Sequence, residues 1–282
     1  MLKRLVNLAG SIVVRAIDGA HEIVCRLTGR PLPRRCIVLA YHSVPAAERA
    51  SFVKQLEMLS RQAKIVHADI ERLPEKGGHY VAITFDDGYD DIVENALPEL
   101  GKRGMPSTVF IITDLLGKKR NWEHRGGEDT SEVSLMSVAQ LQNLPSDLVR
   151  IGSHTMTHAF MPKLEPAKMQ AELAGSRTKL ESLLKREVNT FALPYGAYNE
   201  TVLRICREAG YDRVFTGLPV FAFEQPGEFL TGRAVVALTD WPIEFRLKAA
   251  GAYRWLPWAY SLKRRLKLAI RGQRSQAAPA YS

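Results

Sequence analysis

Cysteine is scarce: Cys25, Cys36 and Cys206 are the only three in 282 residues. They are odd in number, far apart and form no C-x-x-C, which excludes a disulfide framework, a cysteine-rich zinc finger and a redox pair. Long apolar runs are also missing, since no stretch approaches the ~20 residues that span a bilayer. There is no G-x-G-x-x-G, no Walker loop and no internal repeat of roughly 20–50 residues, so the common nucleotide-binding and solenoid signatures are absent. No histidine follows His158.

What remains is an ordinary globular composition, 46% hydrophobic and 24% charged, with a net charge of +9. The distribution of that charge matters more than its size. Residues 1–35 carry 7 basic and 2 acidic side chains, residues 242–282 carry 9 and 1, and the stretch between is net acidic with 23 against 27. A positive excess confined to the ends argues against a nucleic-acid groove and for contact with an anionic surface. The chain thus divides into a basic N-terminal extension (1–35), a central domain (36–240) and a basic C-terminal extension (241–282).

In the central domain, short apolar runs rich in β-branched residues alternate with helical patterns. Cys36–Tyr41, Val81–Phe85, Ser107–Ile112, Leu148–Ile151 and Thr190–Leu193 read as strands buried on both faces, and therefore parallel. Pro166–Arg186 and Asn199–Ala209 read as helices, the second with an asparagine N-cap and Gly210 beyond its end. Strand–helix alternation of this kind predicts an α/β barrel or doubly wound sheet with its chemistry at the carboxyl ends of the strands. Residues 115–147 read as a long loop over the mouth of the barrel, followed by a short helix.

Polar residues gather at those strand ends. Asp86-Asp87-Gly88 presents two adjacent carboxylates facing different ways, one able to hold a metal and the other free to act as a base. His154 and His158, four apart, are expected on one face of a helical turn. Two histidines and a carboxylate with open positions describe a catalytic divalent-metal site, and a bound cation makes water nucleophilic near neutral pH. His42 ends the first strand at the same face, with a backbone-bonded core histidine as its alternative reading. Arg233, just before the strand-like run Ala234–Leu238, could reach Asp86 from the barrel mouth; otherwise it is a surface arginine.

Thr84-Phe-Asp-Asp-Gly88, Ser153-His-Thr-Met-Thr-His158 and Pro194-Tyr-Gly196 together resemble three ordered motifs of the polysaccharide deacetylases, carbohydrate esterase family four. The resemblance implies a distorted (β/α)₇ barrel and metal-dependent removal of N-acyl groups, with Zn²⁺ as the expected cation. It implies Asp86 as base, Asp87, His154 and His158 as ligands, and the Tyr195 amide in the Pro194-Tyr195-Gly196 turn as an oxyanion donor. Two departures stand out. The late Leu-x-His histidine that supplies the leaving-group proton is missing, and Ala192 stands where an arginine commonly orients the base. His42 and Arg233 are the candidate replacements. The expected substrate is an N-acetylated amino-sugar glycan or its lipid-linked precursor, in envelope or exopolysaccharide metabolism. A catalytically inactive carbohydrate-binding protein is the alternative.

At the C-terminal end, Trp258, Leu262, Leu266 and Ile270 fall on one helical face rimmed by Lys263, Arg264, Arg265 and Lys267. This reads either as an interfacial helix or as one packed on the barrel. Leu5, Leu8, Ile12 and Ala16 form a weaker stripe near the start. Together, 1–20 and 253–274 could hold the protein on an anionic leaflet. Asn7, Gly10 and Arg15 interrupt the run that follows Lys3 and Arg4, so the expected location is cytoplasmic, peripheral on the inner membrane face, with export the weaker reading.

Overall fold

The apolar runs form strands buried on both sides, as continuous hydrophobic patterning dictates. The computed structural model describes residues 1–74, 77–120 and 134–271. Its strands are β1 (Arg34–Tyr41), β2 (Lys64–Val66), β3 (Gly78–Phe85), β4 (Ser107–Ile111), β5 (Val149–Ser153), β6 (Thr190–Ala192), β7 (Arg213–Phe215), β8 (Leu230–Thr231) and β9 (Arg233–Val235). They pair in the order β8-β7-β6-β5-β4-β3-β1-β9 with β2 added to β3, and every strand pairing is parallel.

The two ends of this ladder are consecutive in sequence. Only Gly232 separates β8, which pairs with β7, from β9, which pairs with β1. The chain therefore steps across the gap and closes a barrel of parallel staves: β1, β3 to β7, and β8 with β9. This is the distorted (β/α)₇ barrel. Gly232 is required at the step because a Cβ there would lie 2.4 Å from the Leu218 carbonyl oxygen.

Alternate strand residues serve two cores. Cys36 and Val38 join Ala82, Phe110, Ala192 and Phe215 in one cluster, whereas Ile37, Leu39 and Tyr41 join Phe52, Leu56 and Phe85 in the other. The helices are α1 (Leu2–Leu27), α2 (Arg49–Gln62), α3 (Asp91–Asn95), α4 (Leu97–Gly101), α5 (Val138–Gln142), α6 (Pro166–Leu184), α7 (Glu200–Glu208), α8 (Pro242–Ala249) and α9 (Leu256–Arg271). In α6, Met169, Leu173 and Leu180 face the core as their spacing predicts, but the helix stops before Arg186 because Lys185 turns left-handed at φ 53°. Asn199 caps α7 by accepting a hydrogen bond from the Val202 amide at 2.9 Å.

The strand expected over 234–238 sits earlier, at Arg233–Val235. Of the long segment 115–147, residues 121–133 lie outside the described residues. Its described ends are tied together where Tyr89, Ile112, Leu115 and Leu135 form a small buried cluster. Ser137 and Gln140 form a capping box at the start of α5, the expected short helix.

Candidate active site

The parallel barrel collects its chemistry where β1, β3, β5 and β6 end, and Arg233 reaches in from the first position of β9. The amide of Asp86 donates to the Tyr41 carbonyl at 2.9 Å, extending the β1–β3 ladder by one residue. Asp87 then turns left-handed at φ 69°, which sends the two carboxylates to different neighbours. Gly88 follows at φ 78°, where a Cβ would lie 2.7 Å from the Ile111 side chain.

Asp86 faces Arg233. The guanidinium donates to both carboxylate oxygens, Nη1 to Oδ1 at 2.6 Å and Nη2 to Oδ2 at 2.8 Å. It is itself oriented by Thr84 Oγ1 at 3.2 Å and the Thr216 carbonyl at 3.2 Å. Both partners are buried, so removing either would strand a charge at a cost of about 3–5 kcal/mol. Burial alone would raise the Asp86 carboxyl, but Arg233, then His154 and His42, hold it below the ordinary carboxylate range. The guanidinium missing at Ala192 is thus supplied from β9, on the opposite side of the barrel closure.

Asp87 faces the histidines. Its Oδ1 lies 3.3 Å from His154 Nε2 and 3.5 Å from His158 Nε2. The expectation of a helical turn for this motif fails: Ser153–His158 leaves β5 as irregular backbone, with Thr155 at φ 68° and His158 at φ 62°. Convergence is achieved instead by anchoring. Glu172 on α6 accepts from the Met156 and Thr157 amides at 2.8 and 3.0 Å and from the Thr157 hydroxyl at 2.7 Å. Thr155 Oγ1 accepts from the His158 amide at 2.9 Å.

The donor set fits a divalent cation. His154 Nδ1 donates to the Ala192 carbonyl at 2.8 Å, which leaves the Nε2 lone pair turned toward Asp87. Asp87 Oδ1 is buried, with an imidazole nitrogen of His154 and one of His158 turned toward it, so a carboxylate oxygen and two nitrogens share one small space. The site's electrostatics ask for a positive charge there. Although burial disfavours the charged imidazole, the hydrogen bond to Asp87 and the two carboxylates raise His154 above the usual histidine range. His158 is lowered to about 4, chiefly by burial, and is a neutral donor at pH 7. One donor atom from each of the three lies within 4.8 Å of the others, and among the described residues no other such cluster occurs.

Two further expected residues reach the same place. Tyr195 stands at φ 59° in the Pro194–Gly196 turn, its ring 4.6 Å from that of His158 and 5.8 Å from that of Phe160. Gly196 is needed there, at φ 62°, because a Cβ would meet the Gly217 amide nitrogen at 2.9 Å. Left-handed φ at Asp87, Thr155, His158 and Tyr195 concentrates backbone strain at the site, as functional centres commonly do. His42, partly buried, lies close enough to act electrostatically on Asp86, Asp87 and His158. The loop after it is pinned: Asp91 accepts from the Ser43 hydroxyl and from the Val44 amide at 3.2 Å, and Asn95 donates to the Val44 carbonyl at 2.9 Å.

The profile of the polysaccharide deacetylase family matches residues 74–214, half of the chain, spanning all three motifs. The chain belongs to the polysaccharide deacetylase family. It is a hydrolase of that type. It is 27% identical over 219 residues to YxkH of Bacillus subtilis (strain 168), whose name places it in the same family, covering 73% of this chain and 72% of that protein. It is 27% identical over 175 residues to the poly-beta-1,6-N-acetyl-D-glucosamine N-deacetylase of Staphylococcus aureus (strain NCTC 8325 / PS 47), covering 60% of this chain and 59% of that one. The structure of IcaB from Ammonifex degensii superposes with a TM-score of 0.65 at 27% identity, over 79% of this chain and 98% of that chain. His42 and Arg233 lie outside the family match, although the fold delivers both to the motif residues.

Thr84, the Ala192 carbonyl and Glu172 were not legible as site residues. Thr84 and Ala192 stand inside apolar strands, and Glu172 stands on a helix among residues that look solvated.

Proposed function

We propose that this protein removes N-acetyl groups from an amino-sugar glycan of the N-acetylglucosamine type, as polymer or lipid-linked precursor. The observation that carries the proposal is the buried Asp86–Arg233 pair standing beside the Asp87–His154–His158 donor set. In this reading those three residues hold one divalent cation, and two imidazoles with a carboxylate suit Zn²⁺ best. When bound, the cation supplies Lewis acidity for the acyl carbonyl and for water.

The remaining work falls to the chain itself. Asp86 takes a proton from the attacking water; a carboxylate has about four lone-pair positions, so two donations from Arg233 leave room for this. Arg233 keeps the carboxylate ionised and fixed in direction. The Tyr195 amide donates to the oxyanion of the tetrahedral intermediate. The C–N bond then breaks, and His42 protonates the departing amine, so that acetate and a free amino sugar leave.

The test is acetate release from β-1,6- and β-1,4-linked N-acetylglucosamine oligomers and from a lipid-linked acetamido sugar, with Zn²⁺ supplied. Release from one of these panels is the expected result. Saturable glycan binding with no release from any panel would contradict the proposal and favour an inactive carbohydrate-binding protein.

A further inference from the structure

Helix α1 is packed the reverse of an ordinary surface helix. An amphipathic helix normally turns its apolar stripe to the core and its charges to water. Here the side against the barrel is largely polar. Arg4 pairs with Glu244 at 2.7 Å and lies 4.2 Å over the Trp241 ring. Ser11 accepts from the Trp255 indole at 3.1 Å, and Asp18 receives Arg35 at 2.9 Å and Arg254 at 2.7 Å. Leu8 and Val14 add a small apolar contact with Leu247, Ala252 and Tyr253. The expected stripe of Leu5, Leu8, Ile12 and Ala16 is therefore split, with Leu8 turned inward and the other three outward.

The outward side is apolar along the whole helix. Leu5, Val6, Ile12, Val13, Ile17 and Val24 are each between 44% and 63% exposed. Sevenfold spacings relate Leu5 to Ile12, Val6 to Val13 and Ile17 to Val24, so these residues share one face. At 1.5 Å per residue, 26 residues carry that face over about 39 Å. A contiguous exposed apolar surface of this extent marks an interaction site.

Charge selects the occupant. Lys3 and Arg26 are exposed on α1, and Lys263 and Arg265 are exposed on α9, which also exposes Trp258 and Leu262. The starts of the two helices are brought together by Trp255, the residue before α9, lying on Gly10 and by Lys3 lying 5.7 Å over the Tyr260 ring. The only acidic residues of α1, Asp18 and Glu22, are engaged by Arg35 on the barrel side. A second copy seated on this face would bring two strongly basic ends together, whereas an anionic lipid surface offers both an apolar interior and opposite charge. Among the described residues no helix is long and apolar enough to cross a membrane. Helices with an exposed apolar face and basic flanks are the kind that lie in a membrane interface, drawn there by anionic lipid.

We propose that the outer face of α1, with Trp258 and Leu262 of α9, docks this protein onto an anionic lipid leaflet. The test is co-sedimentation of the full chain with vesicles of 70% phosphatidylcholine and 30% phosphatidylglycerol, against vesicles of phosphatidylcholine alone. Wild type should partition onto the anionic vesicles at least tenfold more strongly than onto the neutral ones. The double variant Val13→Asp/Ile17→Asp should lose at least tenfold in binding while keeping its Tm and its activity on soluble substrate, because both side chains are exposed and far from the site residues. Failure of wild type to partition, or partitioning untouched by the double variant, would overturn the proposal. So would a concentration-dependent dimer that the double variant dissolves in the absence of lipid.

Discussion

Asp86→Asn should leave a folded, ion-binding protein whose turnover is lower by roughly 10²–10⁴, the usual contribution of a positioned general base. The amide fills the same volume and can still accept one hydrogen bond from Arg233, but it cannot take a proton from water. It also leaves the buried guanidinium without its counter-charge. At about 3 kcal/mol for the broken pair, Tm should fall by roughly 6–12 °C in a chain of this size. Rates measured well below both transitions, with ion binding checked in parallel, separate lost chemistry from lost fold. Near wild-type turnover would place the base elsewhere.

His42→Ala should cost roughly 10²–10⁴ in turnover on N-acetyl substrates and much less on activated acetate esters. An amine leaves poorly as an anion, so the amide reaction needs an acid, whereas an activated alcohol departs without one. The late histidine that would serve is missing, since no histidine follows His158. Of the remaining histidines, His42 is the one that follows a strand end at this face, and the loop after it is fixed by Asp91 and Asn95. Comparing the two substrate classes in one variant removes any general effect on folding or ion binding. An equal loss on amides and esters would return His42 to a packing role.

The legible part of this molecule was the part written in continuous apolar runs. β1, β3, β4, β5 and β6 announce themselves because a strand buried on both faces carries a run of consecutive apolar, β-branched or aromatic residues with few polar positions to blur it. β7 and β8 do not, because no continuous apolar run marks them, and β9 was legible only as a run displaced from its true start at Arg233. Barrel closure at Gly232 is a steric event between distant backbones, which no local pattern encodes.

At the site, residue types were legible and their geometry was not. The H-x-x-x-H spacing suggested a helical turn, but the same spacing is met here by left-handed residues pinned from α6, 14 positions beyond His158 at Glu172. Arg233 could be suspected from its approach to the mouth, yet its bidentate grip on Asp86 depends on the closure that brings β9 beside β1. The apolar stripes at the two ends were visible as well. That α1 would turn its stripe outward was not, because periodicity fixes which residues share a face and leaves open which way the face points.

The central claim is that Asp87, His154 and His158 together hold one divalent cation while Asp86 stands apart as the base. Calorimetric titration of chelator-stripped protein with Zn²⁺ tests it most directly, comparing wild type, His158→Ala and Asp86→Asn. The account predicts one tight site per chain in wild type and in Asp86→Asn, and loss of that site in His158→Ala. Wild type without a tight site, or His158→Ala binding as tightly as wild type, would contradict it.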